Sequence, residues 1–105
     1  SGNSFVHETE SQVILNGSYN INFTMDLVLK DTGLFDDLAR KLNTSLEISP
    51  KVVEIFKDGQ KKYGSRAWSS MIVKRMEDAN NIDFRASGFP SELTDNEPEE
   101  KGYEI

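Results

Sequence analysis

Residues 22–43 constrain this chain more than any other stretch. Apolar side chains recur there on two faces, one carrying Phe23, Leu27, Leu34, Leu38 and Leu42, the other Met25, Val28, Leu29, Thr32, Phe35 and Ala39. Spacings of three, four and seven residues put side chains on one side of an α-helix. An apolar surface this wide predicts a central helix touched from several sides. Two features break the pattern. Lys30 and Asp31 fall inside the first stripe, where leucine would pack better. Gly33 costs about 1 kcal/mol relative to alanine in a helix interior, so it points to close packing or a ligand there.

Three further helical stretches flank this one. Residues 3–15 form a weakly amphipathic segment with Phe5, Val6, Val13 and Ile14, stopped by Asn16-Gly17. Ser49-Pro50 opens the next, with serine as N-cap and proline at the first helical position. That helix carries Val52, Ile55, Phe56, Gly59 and Tyr63 and ends at Gly64. Residues 66–79 place Trp68, Met71, Ile72, Arg75 and Met76 at three-and-four spacing. Asn22 is the expected cap of the central helix. After Asn80-Asn81 the periodicity ends, and Phe84, Phe89 and Leu93 are expected to pin an extended arm onto the helices. The fold expected is all-α, with a helical domain over residues 1–80 and an extended acidic arm over 81–105.

The charge is uneven. The chain carries −6, but residues 92–105 hold six acids (Glu92, Asp95, Glu97, Glu99, Glu100 and Glu104) against Lys101. An acidic end interrupted by Pro98 and Gly102 reads as solvated and poorly ordered. The rest is near neutral and has no basic patch interleaved with aromatics, which argues against nucleic acid. The absence of cysteine excludes disulfides and thiolate metal sites, and the single histidine, His7, makes no metal cluster. His7 is assigned no role. No run reaches the roughly 18 apolar residues of a membrane span, and no signal segment opens the chain. The expected compartment is cytoplasmic. Three N-glycosylation patterns, at Asn16, Asn22 and Asn43, read as chance matches. The opening Ser1-Gly2-Asn3-Ser4-Phe5 lacks an initiator methionine, and the expectation is a piece of a longer polypeptide whose other part lies N-terminal.

Lys30 and Asp31 admit two readings. Both side chains snorkel to the helix edge and are solvated, or the helix lines a cleft where an ammonium and a carboxylate face a polar ligand. Phe23 precedes Lys30 by two helical turns, so the two point the same way, whereas Asp31 is rotated about 100° from Lys30. Lysine offers a compact charge with three donors, suited to a carboxylate, a ribose hydroxyl or a phosphate.

The stretch FTMDLVLKDTGL, Phe23 to Leu34, resembles the signature of the C-terminal domain in the β-hydroxyacid dehydrogenase family, which includes 3-hydroxyisobutyrate dehydrogenase and tartronate semialdehyde reductase. The opening serine–glycine turn, the Ser49-Pro50 helix start and the Tyr63-Gly64 stop are similar to that family as well, over roughly residues 1–75. The resemblance implies the multi-helix C-terminal domain of the 6-phosphogluconate dehydrogenase C-terminal-like type. It implies an N-terminal Rossmann domain that binds NAD or NADP through a glycine-rich loop, and an interdomain helix with the catalytic lysine, neither present here. No catalytic residue is therefore expected in this chain. Lys30 matches the lysine that reaches the cofactor near its nicotinamide half. Asp31 matches the aspartate that orients the site, and Phe23 the aromatic that packs against substrate and nicotinamide. The implied substrate is a small 3-hydroxy acid, and the implied assembly a homodimer or homotetramer through this domain.

The chain departs from the family where the fourth helix usually begins G-x-x-D-x-S-A; here it reads Gly64-Ser65-Arg66-Ala67-Trp68-Ser69-Ser70. Arg66 and Trp68 become candidates for the cleft mouth, although a tryptophan at helical apolar spacing is ordinarily core. A different class of function competes: a freestanding helical interaction module, with Lys30–Asp31 an ordinary ion pair and the acidic arm a docking peptide.

Overall fold

The computed structural model describes residues 1–93 and 98–103. The described residues form an all-α domain: α1 (Phe5–Asn16), α2 (Met25–Lys41), α3 (Ser49–Tyr63), a short 3₁₀ helix (Ser69–Val73) and α4 (Lys74–Asn80). Within the acidic end, residues 94–97 and 104–105 lie outside the described residues, so the expectation of a poorly ordered tail falls partly there.

Each helix end follows local chemistry. The Ser4 hydroxyl accepts the His7 amide at 3.0 Å and caps α1. Gly17, at φ 89°, closes α1 in the left-handed region, its N–H donating to the Val13 and Ile14 carbonyls. The central helix starts later than the sequence indicates. Thr24 is its cap, while Asn22 sits at φ 58° in the preceding turn. Ser49 is the first residue of α3 rather than its cap, and its hydroxyl donates to Asp36 on α2 at 2.5 Å.

The largest correction concerns the fourth helix. Residues 65–68 are not helical: a turn at Ser65-Arg66 and a bend at Ala67 lead into extended Trp68, because the backbone there pairs with the start of α2. Met25 N–H donates to the Ala67 carbonyl at 2.9 Å, Asp26 N–H to Ser65 at 3.0 Å, and Ser69 N–H to Phe23 at 2.7 Å. Thr24 and Trp68 form an antiparallel bridge. Backbone groups committed to that pairing are not available for helical bonds.

The second expected correction is to the burial of α2. Its Met25/Val28/Leu29/Ala39 side packs along α3, with Met25 fully buried and Ala39 nearly so. The other side stays open, and Leu34, Phe35, Leu38 and Leu42 are 54–66% exposed. Nor is Gly33 closely packed: a Cβ built there meets nothing within 4 Å. The glycine that close packing does require is Gly59, where a Cβ would lie 2.8 Å from Ile72 Cδ1 and 3.3 Å from Met25 Cε. Here α3 crosses α2 and the 3₁₀ helix. Arg75 Nε donates to Asp58 Oδ2 at 2.6 Å and the Tyr63 hydroxyl to Asp78 Oδ2 at 2.7 Å, tying α4 to α3.

The arm after α4 folds back on α1, but not through its aromatics alone, since Phe84 and Phe89 remain 38% and 37% exposed. Arg85 anchors it. Its Nη1 donates to the Ile14 carbonyl at 3.2 Å and to Glu77 Oε1 at 3.3 Å, and its Nη2 to the Tyr19 hydroxyl at 2.8 Å. Ala86 N–H donates to the Leu15 carbonyl at 3.0 Å, and Asn16 Nδ2 to the Phe89 carbonyl at 3.0 Å. Tyr19 also donates its hydroxyl to Glu77 Oε1 at 2.6 Å. Glu77 is 1% exposed. Burial, the largest single influence, pushes its carboxyl up, but the bonds from Tyr19 and Arg85 together outweigh it and hold Glu77 below the usual range.

Candidate functional site

The start of α2 is held by a dense set of hydrogen bonds. Its three backbone bonds to residues 65–69 are joined by side-chain ties. Arg66 Nη1 donates to Asp26 Oδ2 at 3.2 Å, and Thr24 Oγ1 donates to Asp26 Oδ1, which also accepts the Leu27 amide at 3.0 Å. The Asp26 carboxyl is held below its ordinary range, first by the Thr24 hydroxyl and then, against some burial, by Arg66.

The turn feeding α2 is constrained from the other side. Tyr19 and Asn22 both adopt left-handed backbone, at φ 55° and 58°. For tyrosine this costs about 1–2 kcal/mol, and tertiary bonds offset it. Ser70 Oγ donates to the Tyr19 carbonyl at 2.5 Å, and the Tyr19 hydroxyl is engaged by Glu77 and Arg85. Phe23 follows, half-buried, with its carbonyl bound by Ser69.

Lys30 and Asp31 occupy the exposed side of the same helix. Lys30 Nζ lies 3.7 Å from Asp31 Oδ1, with the two side chains 63% and 59% exposed. On a helix with 100° per residue, Asp31 lines up with Leu34, Phe35, Leu38 and Leu42, within about 60° of each. The stripe that the pair interrupts is therefore the open one, and the two charges are not buried in this chain. Phe23, Lys30 and Asp31 share α2 and its lead-in.

Sequence reasoning singled out Arg66 and Trp68, and the structure places both at this helix start. Arg66 is occupied by Asp26, and Trp68 is half-buried in the pairing with Thr24. The reasoning missed Asp26 as the hub of that cluster, although an acid in a first turn opposite an arginine-bearing loop is a readable signal. It also missed Arg85, one of only two bases in the arm, with Lys101. Among the described residues no group of three or more His, Asp or Glu side chains could hold a metal. No helix among them is long and apolar enough to cross a membrane.

The fold is thus an all-α domain that carries an exposed lysine–aspartate pair and an open apolar stripe on α2. A family model described as NAD-binding of NADP-dependent 3-hydroxyisobutyrate dehydrogenase matches residues 1–76, and the chain belongs to that family. Comparisons with curated proteins and with solved structures found no match.

Proposed function

We propose that this chain is the helical domain that closes the active-site cleft of an NAD(P)-dependent dehydrogenase acting on a small 3-hydroxy acid. One observation carries the reading: the family match spans residues 1–76 and thus contains FTMDLVLKDTGL, whose lysine and aspartate stand exposed on α2 and are paired with each other among the described residues. Lys30 directs its ammonium to the polar groups of the cofactor near the nicotinamide. Phe23 packs against the substrate and Asp31 orients it.

The donor set fits part of a nicotinamide dinucleotide and not the whole. Lys30 supplies three donors on a flexible stem, suited to a carboxamide or a ribose hydroxyl. The chain contains no G-x-G-x-x-G loop to cradle the pyrophosphate. That loop belongs to a Rossmann domain N-terminal to this one, and the catalytic lysine to the interdomain helix that joins the two. When bound, the cofactor accepts or supplies the hydride. The residues of this chain hold its polar edge and exclude water from one side.

The open side of α2 seats a second copy, giving a homodimer or a higher assembly. That same open side also favours the runner-up reading, a freestanding interaction module with no catalytic role. The reading frame ahead of Ser1 separates them: a strand followed by G-x-G-x-x-G is expected there. The purified 105-residue chain is expected to oxidise no 3-hydroxy acid with either NAD or NADP. Turnover by the chain alone, or an upstream frame without that motif, overturns the proposal.

A further inference from the structure

A cavity next to Phe23 takes its walls from three separated parts of the chain. Asn20, Ile21 and Asn22 come from the turn before α2, Trp68 from the extended segment, and Glu92 and Leu93 from the arm. The family match ends at residue 76, so the wall built by the arm lies outside the region shared with the family.

All three walls are held in place. The Asn20–Asn22 turn follows Tyr19, whose carbonyl and hydroxyl are both bound, and leads into Phe23, whose carbonyl is bound by Ser69 at 2.7 Å. Trp68 is fixed by its bridge to Thr24. The arm is tied at Arg85, at Ala86 and at the Phe89 carbonyl, the last of these three positions before Glu92.

The chemistry of the lining selects a charge sign. It offers one carboxylate, two carboxamides, an indole and two aliphatic side chains, with no base among them. An anion would meet the Glu92 carboxylate with no base among the described lining residues to offset the repulsion. A small organic cation gains that carboxylate as partner, carboxamide oxygens as acceptors, and an aromatic neighbour of the kind that favours ammonium groups. We infer that this cavity is a subsite for the ammonium group of a small amine-bearing ligand, with Glu92 as its charge partner and Trp68 as its aromatic wall. Arg85 is a positioning residue, acting through the arm. As a statement about substrate, it rests on the dehydrogenase reading and makes the substrate a hydroxy acid that also carries an amine. Cation binding by itself does not depend on that reading.

Trp68 is the single tryptophan of the chain, so its indole N–H resonance reports on this cavity alone. Titrating the chain with ethylammonium chloride is expected to shift that resonance saturably, whereas propanol and sodium acetate at equal concentration are not. Glu92→Gln is expected to weaken ethylammonium binding at least tenfold, and Glu99→Gln to leave it unchanged. Arg85→Met should weaken binding while Glu92 is still present. Glu92 is exposed, so its neutralisation leaves the fold intact and is the deciding variant. Equal affinity in Glu92→Gln, or an equal shift with propanol or acetate, overturns the subsite. The titration uses neither cofactor nor hydroxy acid, so its failure leaves the kinetic test of Lys30 standing, and failure of that test leaves the titration unaffected.

Discussion

Lys30 and Asp31 form an ion pair at 3.7 Å on an exposed helix face, their side chains 63% and 59% exposed among the described residues. An exposed pair of this kind contributes about 0–1 kcal/mol to stability, so its energetic role in folding is small. In the two-domain enzyme, Lys30→Met is expected to change stability by at most about 0.5 kcal/mol. It removes a charge-assisted bond to the cofactor worth roughly 1.5–3 kcal/mol, a loss of about ten- to a hundred-fold in kcat/KM. Asp31→Asn is expected to lower kcat. Lys61→Met, at an exposed position of α3, is the control. Steady-state kinetics that fail to separate the three variants would remove Lys30 and Asp31 from the site.

The Glu77 carboxyl titrates below its ordinary value when folded. A carboxyl that is more acidic folded than unfolded adds stability above its unfolded value of about 4.3, and that stability is lost as pH falls through the folded value. Glu77→Gln is expected to cost about 1–3 kcal/mol near pH 7 and to flatten the acid limb of the stability curve. Urea unfolding between pH 3 and 7 measures both. An acid limb as steep in the variant as in the parent would place the titration elsewhere.

The two interior glycines of the long helices should behave oppositely. Gly33→Ala meets no neighbour and is expected to stabilise the chain by about 0.4–1 kcal/mol. Gly59→Val puts a branched side chain where a Cβ alone already sits 2.8 Å from Ile72, and overpacking of that kind costs about 1–3 kcal/mol. Thermal unfolding checks the order. If Gly33→Ala also lowers activity in the whole enzyme while raising Tm, the glycine serves the surface that closes over it.

The association proposal makes its own forecast. Among the described residues the buried apolar core consists of Val13, Tyr19, Met25 and Ala39, while Leu34, Phe35, Leu38 and Leu42 face outward. Contiguous exposed apolar side chains mark an interaction surface. Sedimentation is expected to show a dimer at high micromolar concentration, and Leu38→Asp a folded monomer. A parent chain that stays monomeric at that concentration counts against the α2 face as the contact.

What could be read in the sequence was whatever depends on neighbours along the chain. The α1 stop at Gly17, the Pro50-led start of α3 and the all-α character follow from turn chemistry and helical period, and the structure has them. The family was legible from the Phe23–Leu34 stretch. Long-range pairing was not. Residues 66–68 have helical spacing but are claimed by the backbone of Phe23–Asp26, a competition that no local pattern reports. The same limit hid Arg85, whose partners Ile14, Tyr19 and Glu77 lie on other elements. The two stripes of α2 looked alike in sequence because periodicity reveals an apolar face without naming what meets it.

The bond between Arg85 and Tyr19 has a consequence for modularity. The stretch shared with the family stops at residue 76, one position before Glu77 and nine before Arg85. Cutting the chain at that border would leave the Tyr19 hydroxyl without either of its side-chain partners and the end of α1 without the Ala86 and Arg85 donors. The unit that inheritance delimits and the unit that folds are thus different in extent. In this chain the helices of the matched stretch take part of their interior from residues that follow it.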